Sequence, residues 1–384
     1  MKGGIDSADA LTISDILAAG FPDPGNSTAA KDPQELAVHV IPQGGEPRWI
    51  ILGDPRRALP VLRSWRPWKL SSRLRWNTVL LAVSTGMLDR LPRVSTSRAC
   101  LDPSYWRQRL SDFPENWGAV IHVGSRSFTR KAILFFFGKN GLIKAPVKVP
   151  LATAAPFAIL NEAAVLHCMQ GADYLPKVLF QDPERGITAQ TWLEGKPVSR
   201  GFTKAHLDLL SLLVDARGIT RVSDYRSGIE MQMNQLDLPF DRSRLLEALD
   251  LLDFDEPLPR FVEHRDFAPW NLKWLPDGRL GLLDWEWAVP ESLPWQDVCR
   301  LFYLDDAHFA GRGRVLETMN GNSLLHMYRS RFGISSAASA ALTMHYLLRV
   351  LCMDWQSGNA QLARHSYRQL DLLLESRRKP TSKR

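Results

Sequence analysis

Two hydrophobic rhythms divide this chain, and a stretch ahead of them has neither. Between Trp117 and Val149 apolar residues come in runs of strand length, Ala119-Val120-Ile121-His122-Val123 and then Ala132-Ile133-Leu134-Phe135-Phe136-Phe137. Gly138-Lys139-Asn140-Gly141 is a hairpin signal, and Leu142 to Val149 reads as a third strand that Pro146 confines to an edge or a bulge. A helix is predicted from Pro156 to Gly171, with Leu160, Ala164, Val165, Leu166 and Met169 as its apolar face. Two more strands follow at Val178-Leu179-Phe180 and Thr188 to Leu193. From Thr203 the period lengthens to that of helices, predicted at Lys204–Ala216, Arg242–Leu252, Trp295–Asp305, Ser323–Phe332, Ser336–Trp355 and Ala360–Ser376.

Upstream of the strands the pattern is weaker. Residues 1–46 are rich in Gly, Pro, Asp and Ser, as in Gly20-Phe21-Pro22-Asp23-Pro24-Gly25-Asn26, so a weakly ordered segment is expected with a short helix at Ala8 to Ala19. Arg48-Trp49-Ile50-Ile51-Leu52 reads as a strand, and Ser71 to Leu91 as a helix striped by Leu74, Val79, Leu80, Val83, Met87 and Leu88. Trp65, Trp68 and Trp76 are expected to pack onto a neighbouring domain. The boundaries that follow are a segment at 1–46, a basic Trp- and Arg-rich extension at 47–116, a sheet lobe at 117–195, a helical lobe at 196–376 and a basic tail at 377–384. The fold class is α+β: a small antiparallel sheet lobe and a larger helical lobe, preceded by the extension.

Composition narrows the class. A chain of 384 residues suits two or three packed units. With 45% hydrophobic and 23% charged residues it sits among globular proteins. No apolar run reads as the roughly 18 to 20 residues of a membrane helix. Met1 to Asp9 carries acids and lacks an apolar core, so no secretion signal is expected. Cys100, Cys168, Cys299 and Cys352 lie far apart, without the spacing of a zinc site, and point to a reducing, cytoplasmic setting. The formal charge is +7, and thirteen Lys and Arg side chains between Arg48 and Arg109 face only Asp54, Asp89 and Asp102. That stretch suits an anionic partner or a membrane surface; a solvated face is the competing reading, and no specific nucleic acid is expected.

The chemistry concentrates downstream. His264-Arg265-Asp266 is followed by Asn271, five residues after Asp266, and then by Leu282-Leu283-Asp284-Trp285-Glu286. Pro276-Asp277-Gly278-Arg279 turns the chain between two apolar runs and returns Asp284 to the cavity that Asp266 and Asn271 share. Kinase-type phosphoryl transfer uses such a set: one Asp to accept a hydroxyl proton, an Asn and a second Asp to hold the metal ions on the phosphates.

These motifs, with a sheet lobe ahead of a helical lobe, resemble the protein-kinase-like superfamily. Trp285-Glu286 after Asp284, the absence of a downstream Ala-Pro-Glu segment, and Trp192-Leu193-Glu194-Gly195-Lys196-Pro197 look like its aminoglycoside phosphotransferase and choline kinase branch. The likeness covers about residues 117 to 365. That branch usually has Gly after the His; Arg265 is the protein-kinase choice and keeps a protein Ser/Thr kinase as an alternative, beside a non-catalytic nucleotide-binding or adaptor module.

The resemblance implies a two-lobed protein-kinase-like fold that transfers the γ-phosphoryl group of ATP (or GTP), with Mg2+, to a hydroxyl of a small molecule such as a sugar, amino-sugar or amino-alcohol. Asp266 would be the catalytic base, and Asn271 and Asp284 the metal ligands. Lys148, paired with Glu162, would grip the phosphates; Lys144 is its rival on the same strand. Gly124 and Ser125 would cover the phosphates, although one glycine stands where protein kinases have three. Thr191 and Leu193 would line the base. Glu286 would serve substrate or a second metal, and His264 and Asp297 would brace the catalytic loop. Glu291, Asp305 and Asp306 are further acids that suit a cationic acceptor.

Overall fold

The computed structural model describes residues 11–23, 32–65, 67, 70–111, 113–139, 141–169, 171–307 and 315–378. The chain divides after Pro197 into two units.

The first unit holds α1 (Ile13–Gly20), β1 (Gln34–Gln43), β2 (Glu46–Leu52), α2 (Leu59–Ser64), α3 (Leu70–Thr85), β3 (Ser95–Leu101), α4 (Ser104–Arg107), β4 (Gly118–Val123), β5 (Lys131–Gly138), β6 (Gly141–Leu142), β7 (Val147–Pro150), α5 (Ala155–Cys168), β8 (Val178–Asp182), β9 (Ile187–Gln190) and β10 (Lys196–Pro197). Its sheet runs β3-β1-β2-β4-β5-β7-β9-β8, with β6 beside β5, and its pairings are antiparallel. Pro146 splits the expected third strand into β6 and β7, because proline has no N–H for the ladder.

Both faces of this sheet are covered, which is why its strands read as unbroken apolar runs. Ile50, Ile121, Leu134 and Phe136 face one core, capped by Ile16 and Leu17 of α1 and by Tyr105 and Trp106 of α4. Trp49, Ile51, Val120 and Phe137 face the other, under Val61 and Leu62 of α2 and Trp76 and Val83 of α3. Alternate residues of one strand thus serve opposite cores.

Two expectations change here. The extension is not an appendage, since β1, β2 and β3 belong to the same sheet as β4 to β9. Nor is the opening weakly ordered throughout. Thr12 and Asp15 cap α1 reciprocally, the Thr12 N–H donating to the Asp15 carboxylate at 2.9 Å and the Asp15 N–H to Thr12 Oγ1 at 3.2 Å. β1 pairs on both sides, with β2 and β3, and that pairing supplies an order its Gly- and Pro-rich flanks do not advertise. Residues 8–10 of the expected first helix lie outside the described residues. Trp49, Trp65 and Trp76 pack on one another at centroid distances of 4.8 to 5.6 Å inside this unit, not onto a neighbouring domain; Trp68 lies outside the described residues.

The second unit contains α6 (Lys204–Ser211), β11 (Val214–Thr220), α7 (Arg226–Gln235), α8 (Arg242–Asp250), β12 (Leu258–Glu263), β13 (Leu272–Trp274), β14 (Leu280–Leu282), β15 (Val289–Ser292), α9 (Gln296–Asp305), α10 (Val315–Asn320), α11 (Ser323–Arg331), α12 (Ser336–Gln356) and α13 (Ala360–Arg378). The helix expected through Ala216 stops at Ser211, and the chain becomes β11, which pairs with β12. α12 is the central pillar and packs on α7, α8, α9 and α13. It is 21 residues long and apolar enough by length and composition to cross a membrane, a point the sequence reading missed; 67% of its apolar window is buried inside the fold, as in a core helix. The α+β class holds: a sheet-built unit precedes a helical one.

Candidate active site

β12 runs in from the three-stranded sheet β11-β12-β15 and ends at Glu263, directly before the His264 loop. The loop closes on itself: the Asn271 N–H donates to the Ala268 carbonyl at 2.9 Å. The β13–β14 hairpin leaves it, pairing Leu272 with Leu282. Its turn needs Gly278, whose φ is +84°. The Leu283 N–H donates to the Asn271 carbonyl at 2.8 Å, so register alone puts Asp284 next to the pair that holds Asn271.

Two donors fix the Asp266 carboxylate. Asn271 Nδ2 reaches Oδ2 at 2.8 Å and also the Asp266 carbonyl at 2.9 Å. The Arg300 guanidinium, from α9, reaches Oδ1 at 2.8 Å. With both of its acceptors on Asp266, the Asn271 amide is oriented, and its Oδ1 is turned away from that carboxylate. His264 is fully buried and held as one tautomer: its Nδ1 accepts the Asp266 N–H at 3.2 Å, so Nε2 carries the proton that meets the Leu283 carbonyl at 2.9 Å. That ring therefore ties the loop to the Asp284 strand.

Asp297 braces the loop from below. Its two carboxylate oxygens accept the His264 N–H at 2.8 Å and the Arg265 N–H at 3.0 Å. Consecutive N–H groups converge in this way because Arg265 is left-handed, with φ 65°. Glycine suits that conformation best; arginine adopts it here at a cost of about 1 to 2 kcal/mol. Asp284 (φ 67°) and Trp295 (φ 73°) are left-handed as well, so three of the four such non-glycine residues described border this loop.

Beneath lies a buried charge cluster. Glu263 pairs with Arg349 of α12, accepts from Ser292 Oγ at 2.6 Å and lies 3.5 Å from Arg265 Nε. Burial opposes its ionisation, yet Arg349 and Arg265 outweigh burial and hold its carboxyl below the usual glutamate range. Burial and the Glu263 charge push the Asp297 carboxyl up to about 7, against the two N–H donors.

In the first unit, Lys148 on β7 donates to Glu162 of α5 at 2.6 Å, and both are buried. Val147 and Val149 face the sheet's first core, so alternation turns Lys148 to the opposite face. Lys144 instead pairs with Glu194 on the exposed surface. Gly124 and Ser125 open the turn between β4 and β5; a Cβ at Gly124 would sit 2.9 Å from the Lys131 carbonyl, so only glycine fits. Thr191 closes the edge beside Lys177: its Oγ1 accepts the Lys177 N–H at 2.8 Å, and Leu193 is buried just beyond.

Among the other acids, Glu291 pairs with Arg260 and Asp305 with Arg200, while Asp306 lies 3.5 Å from His365, whose charged form burial disfavours. Glu286 stands in the turn that the Ala288 N–H closes onto the Trp285 carbonyl at 3.1 Å. Among the described residues, no three His, Cys, Asp or Glu are grouped to hold a metal ion. One carboxylate and one amide oxygen, completed by phosphate oxygens and water, suit Mg2+, which rarely has an all-protein cage. Sequence reading gave no role to Arg300, Glu263 or Arg349; Glu263 directly precedes His264 and Arg300 follows Asp297 by one helical turn, whereas Arg349 has no motif residue near it in sequence.

No protein-family model matches this chain, and no curated protein does. Solved structures similar to it include aminoglycoside phosphotransferase APH(4)-Ia in a ternary complex with ADP and hygromycin B, at 14% identity, covering 67% of this chain and 94% of that one, TM-score 0.48. Choline kinase LicA from Streptococcus pneumoniae is 15% identical over 65% of this chain and 91% of its own, TM-score 0.42. Macrolide 2'-phosphotransferase type I is 15% identical over 65% and 90%, TM-score 0.42. At these identities and scores, any chemistry has to rest on this chain's own residues.

Proposed function

We propose that this protein is a nucleotide-dependent phosphotransferase whose acceptor is a hydroxyl of a small molecule. The observation that carries the reading is the Asp266 carboxylate held by Asn271 and Arg300 while register brings Asp284 beside Asn271. Asp266 orients the acceptor hydroxyl and takes its proton as the new O–P bond forms. The bond from the γ-phosphorus to the bridging oxygen breaks, and the nucleoside diphosphate leaves with those electrons. Asn271 Oδ1 and Asp284 would hold Mg2+, which when bound neutralises charge on the phosphates. Lys148, kept straight by Glu162, steadies the α- and β-phosphates, and the turn at Gly124 and Ser125 covers them. Thr191 and Leu193 flank the base of ATP or GTP. His264 and Asp297 position the loop and touch no substrate. Arg300 holds Asp266 in place, so catalysis rests on positioning and preset charge.

The acceptor is small and carries an alcohol. With Glu291 and Asp305 paired to arginines and Asp306 buried, Glu286 is the acid assigned to a cationic acceptor or to a second metal. The test is a screen of sugars, amino-sugars and amino-alcohols that reads ATP consumption and phosphorylated product. Turnover of peptides and of no small molecule would replace this acceptor class with a protein; the absence of nucleotide binding at millimolar MgATP would remove the enzyme reading.

A further inference from the structure

The turn between β4 and β5 is fastened to a strand that the kinase resemblance does not reach. Arg48 of β2 lies 75 residues upstream of Val123, and its Nη1 donates to the Val123 carbonyl at 2.7 Å and to Ser125 Oγ at 3.3 Å. Arg130, at the other end of the turn, donates Nε to the Gly124 carbonyl at 3.1 Å and Nη2 to Glu46 of β2 at 3.1 Å. Glu46 also pairs with Arg126 near the tip. One strand of the extension therefore grips both shoulders of the turn.

The charges around this grip do not cancel. Arg126 and Arg130 share one carboxylate, Glu46, while Arg48 bonds only the neutral acceptors Val123 and Ser125. Burial and the like charge of Arg130 both lower the pKa of Arg48, so its position costs free energy. A turn that only had to close could use neutral donors. An uncompensated positive excess beneath a glycine that nothing larger can replace suits a polyanion lying across the turn.

We infer that Arg48 is a positioning residue for the nucleotide phosphates: it holds Val123 and Ser125 in the shape that receives them, and the extension is part of the nucleotide site. This rests on the phosphotransferase reading above. Wild type, Arg48→Met and Arg48→Lys, all full length, are titrated with MgATP and MgADP by calorimetry and assayed for the KM of ATP and for kcat. Arg48→Met is expected to raise Kd and KM about tenfold, by loss of a charge-assisted bond, with kcat within about twofold and the melting temperature little changed. Arg48→Lys, which keeps the charge and one donor, should recover part of the affinity. A purely structural role would not move KM alone.

Should Arg48→Met fail to fold, Arg130→Gln releases the opposite shoulder at the Gly124 carbonyl and should raise the same Kd. Unchanged nucleotide affinity in folded Arg48→Met or in folded Arg130→Gln overturns the inference and leaves the phosphotransferase reading standing. A wild-type protein that binds neither nucleotide overturns both.

Discussion

The loop at 264–271 and the turn at 124–130 are both short and both pinned by several hydrogen bonds, yet their anchors differ in kind. The loop is held by its own hairpin and by Asp297, 33 residues away, and it stores left-handed strain at Arg265 and Asp284. The turn has no left-handed residue among those described, and its anchors, Glu46 and Arg48, come from 75 to 84 residues upstream. Strain is kept where the surrounding structure over-determines it, and the helical unit does so with Asp297 and His264 and, beneath them, with the Glu263–Arg349 pair, itself 86 residues apart. The sheet unit gains the same rigidity by adding strands. A short segment can thus be held rigid by dense side-chain bracing around a strained backbone or by enlarging the sheet.

Four changes would break or sharpen that contrast. The largest effect is expected from removing residues 1–116, which bares the β4 edge and uncovers both faces of the sheet; soluble yield and a cooperative melt should be lost. A truncated chain that melts cooperatively would restore the picture of a separable extension. Lys148→Met comes next. It removes the ion-pair partner of the fully buried Glu162 and should cost about 3 to 5 kcal/mol in denaturant unfolding. Adding Glu162→Leu should recover much of that stability without recovering nucleotide binding, which separates the pair's structural cost from its use.

Asp297→Ala orphans two N–H groups, at about 1 to 3 kcal/mol each. Hydrogen exchange should then speed up at His264 and Arg265 and stay unchanged in β4 and β5; equal acceleration in both units would erase the distinction between local and remote bracing. The smallest effect concerns pH. Burial raises the Asp354 carboxyl, on α12, from 3.8 to about 6, with Arg300 opposing. Its contribution to stability is complete below about pH 4 and is lost as pH rises through about 6. The melting temperature of Asp354→Asn should therefore gain on wild type across pH 4 to 6 and run parallel above 7. Parallel curves throughout would show that the group is better solvated than its burial implies.

Much of the 264–271 loop was legible because its determinants are local. Pro276-Asp277-Gly278-Arg279 specifies a turn by its own chemistry, and the pairing of Leu272 with Leu282 then follows. Lys148 and Glu162 were readable from spacing; Lys144 shares the parity of Lys148, but Lys148 closes the strand just before the helix, and the break at Pro146 leaves Lys144 outside both β6 and β7. Arg300 and Arg349 were not legible: α9 and α12 must pack before either reaches the loop. β3, mostly exposed at the sheet edge, shows no apolar rhythm, and β1 hides between Gly- and Pro-rich flanks. The extension was therefore read as a separate piece when its strands complete the sheet. Arg265 was readable as a departure, but only its φ of 65° and its contact with Glu263 explain what the side chain does there.

The most direct test of the central claim compares wild type with Asp266→Ala, using γ-labelled ATP and an acceptor found by the hydroxyl screen. The expected result is a fall in kcat of about 10² to 10⁴-fold, with the melting temperature and the Kd for MgATP nearly unchanged. Label transfer at the wild-type rate in the folded variant would contradict the claim, because the proton acceptor would then lie elsewhere.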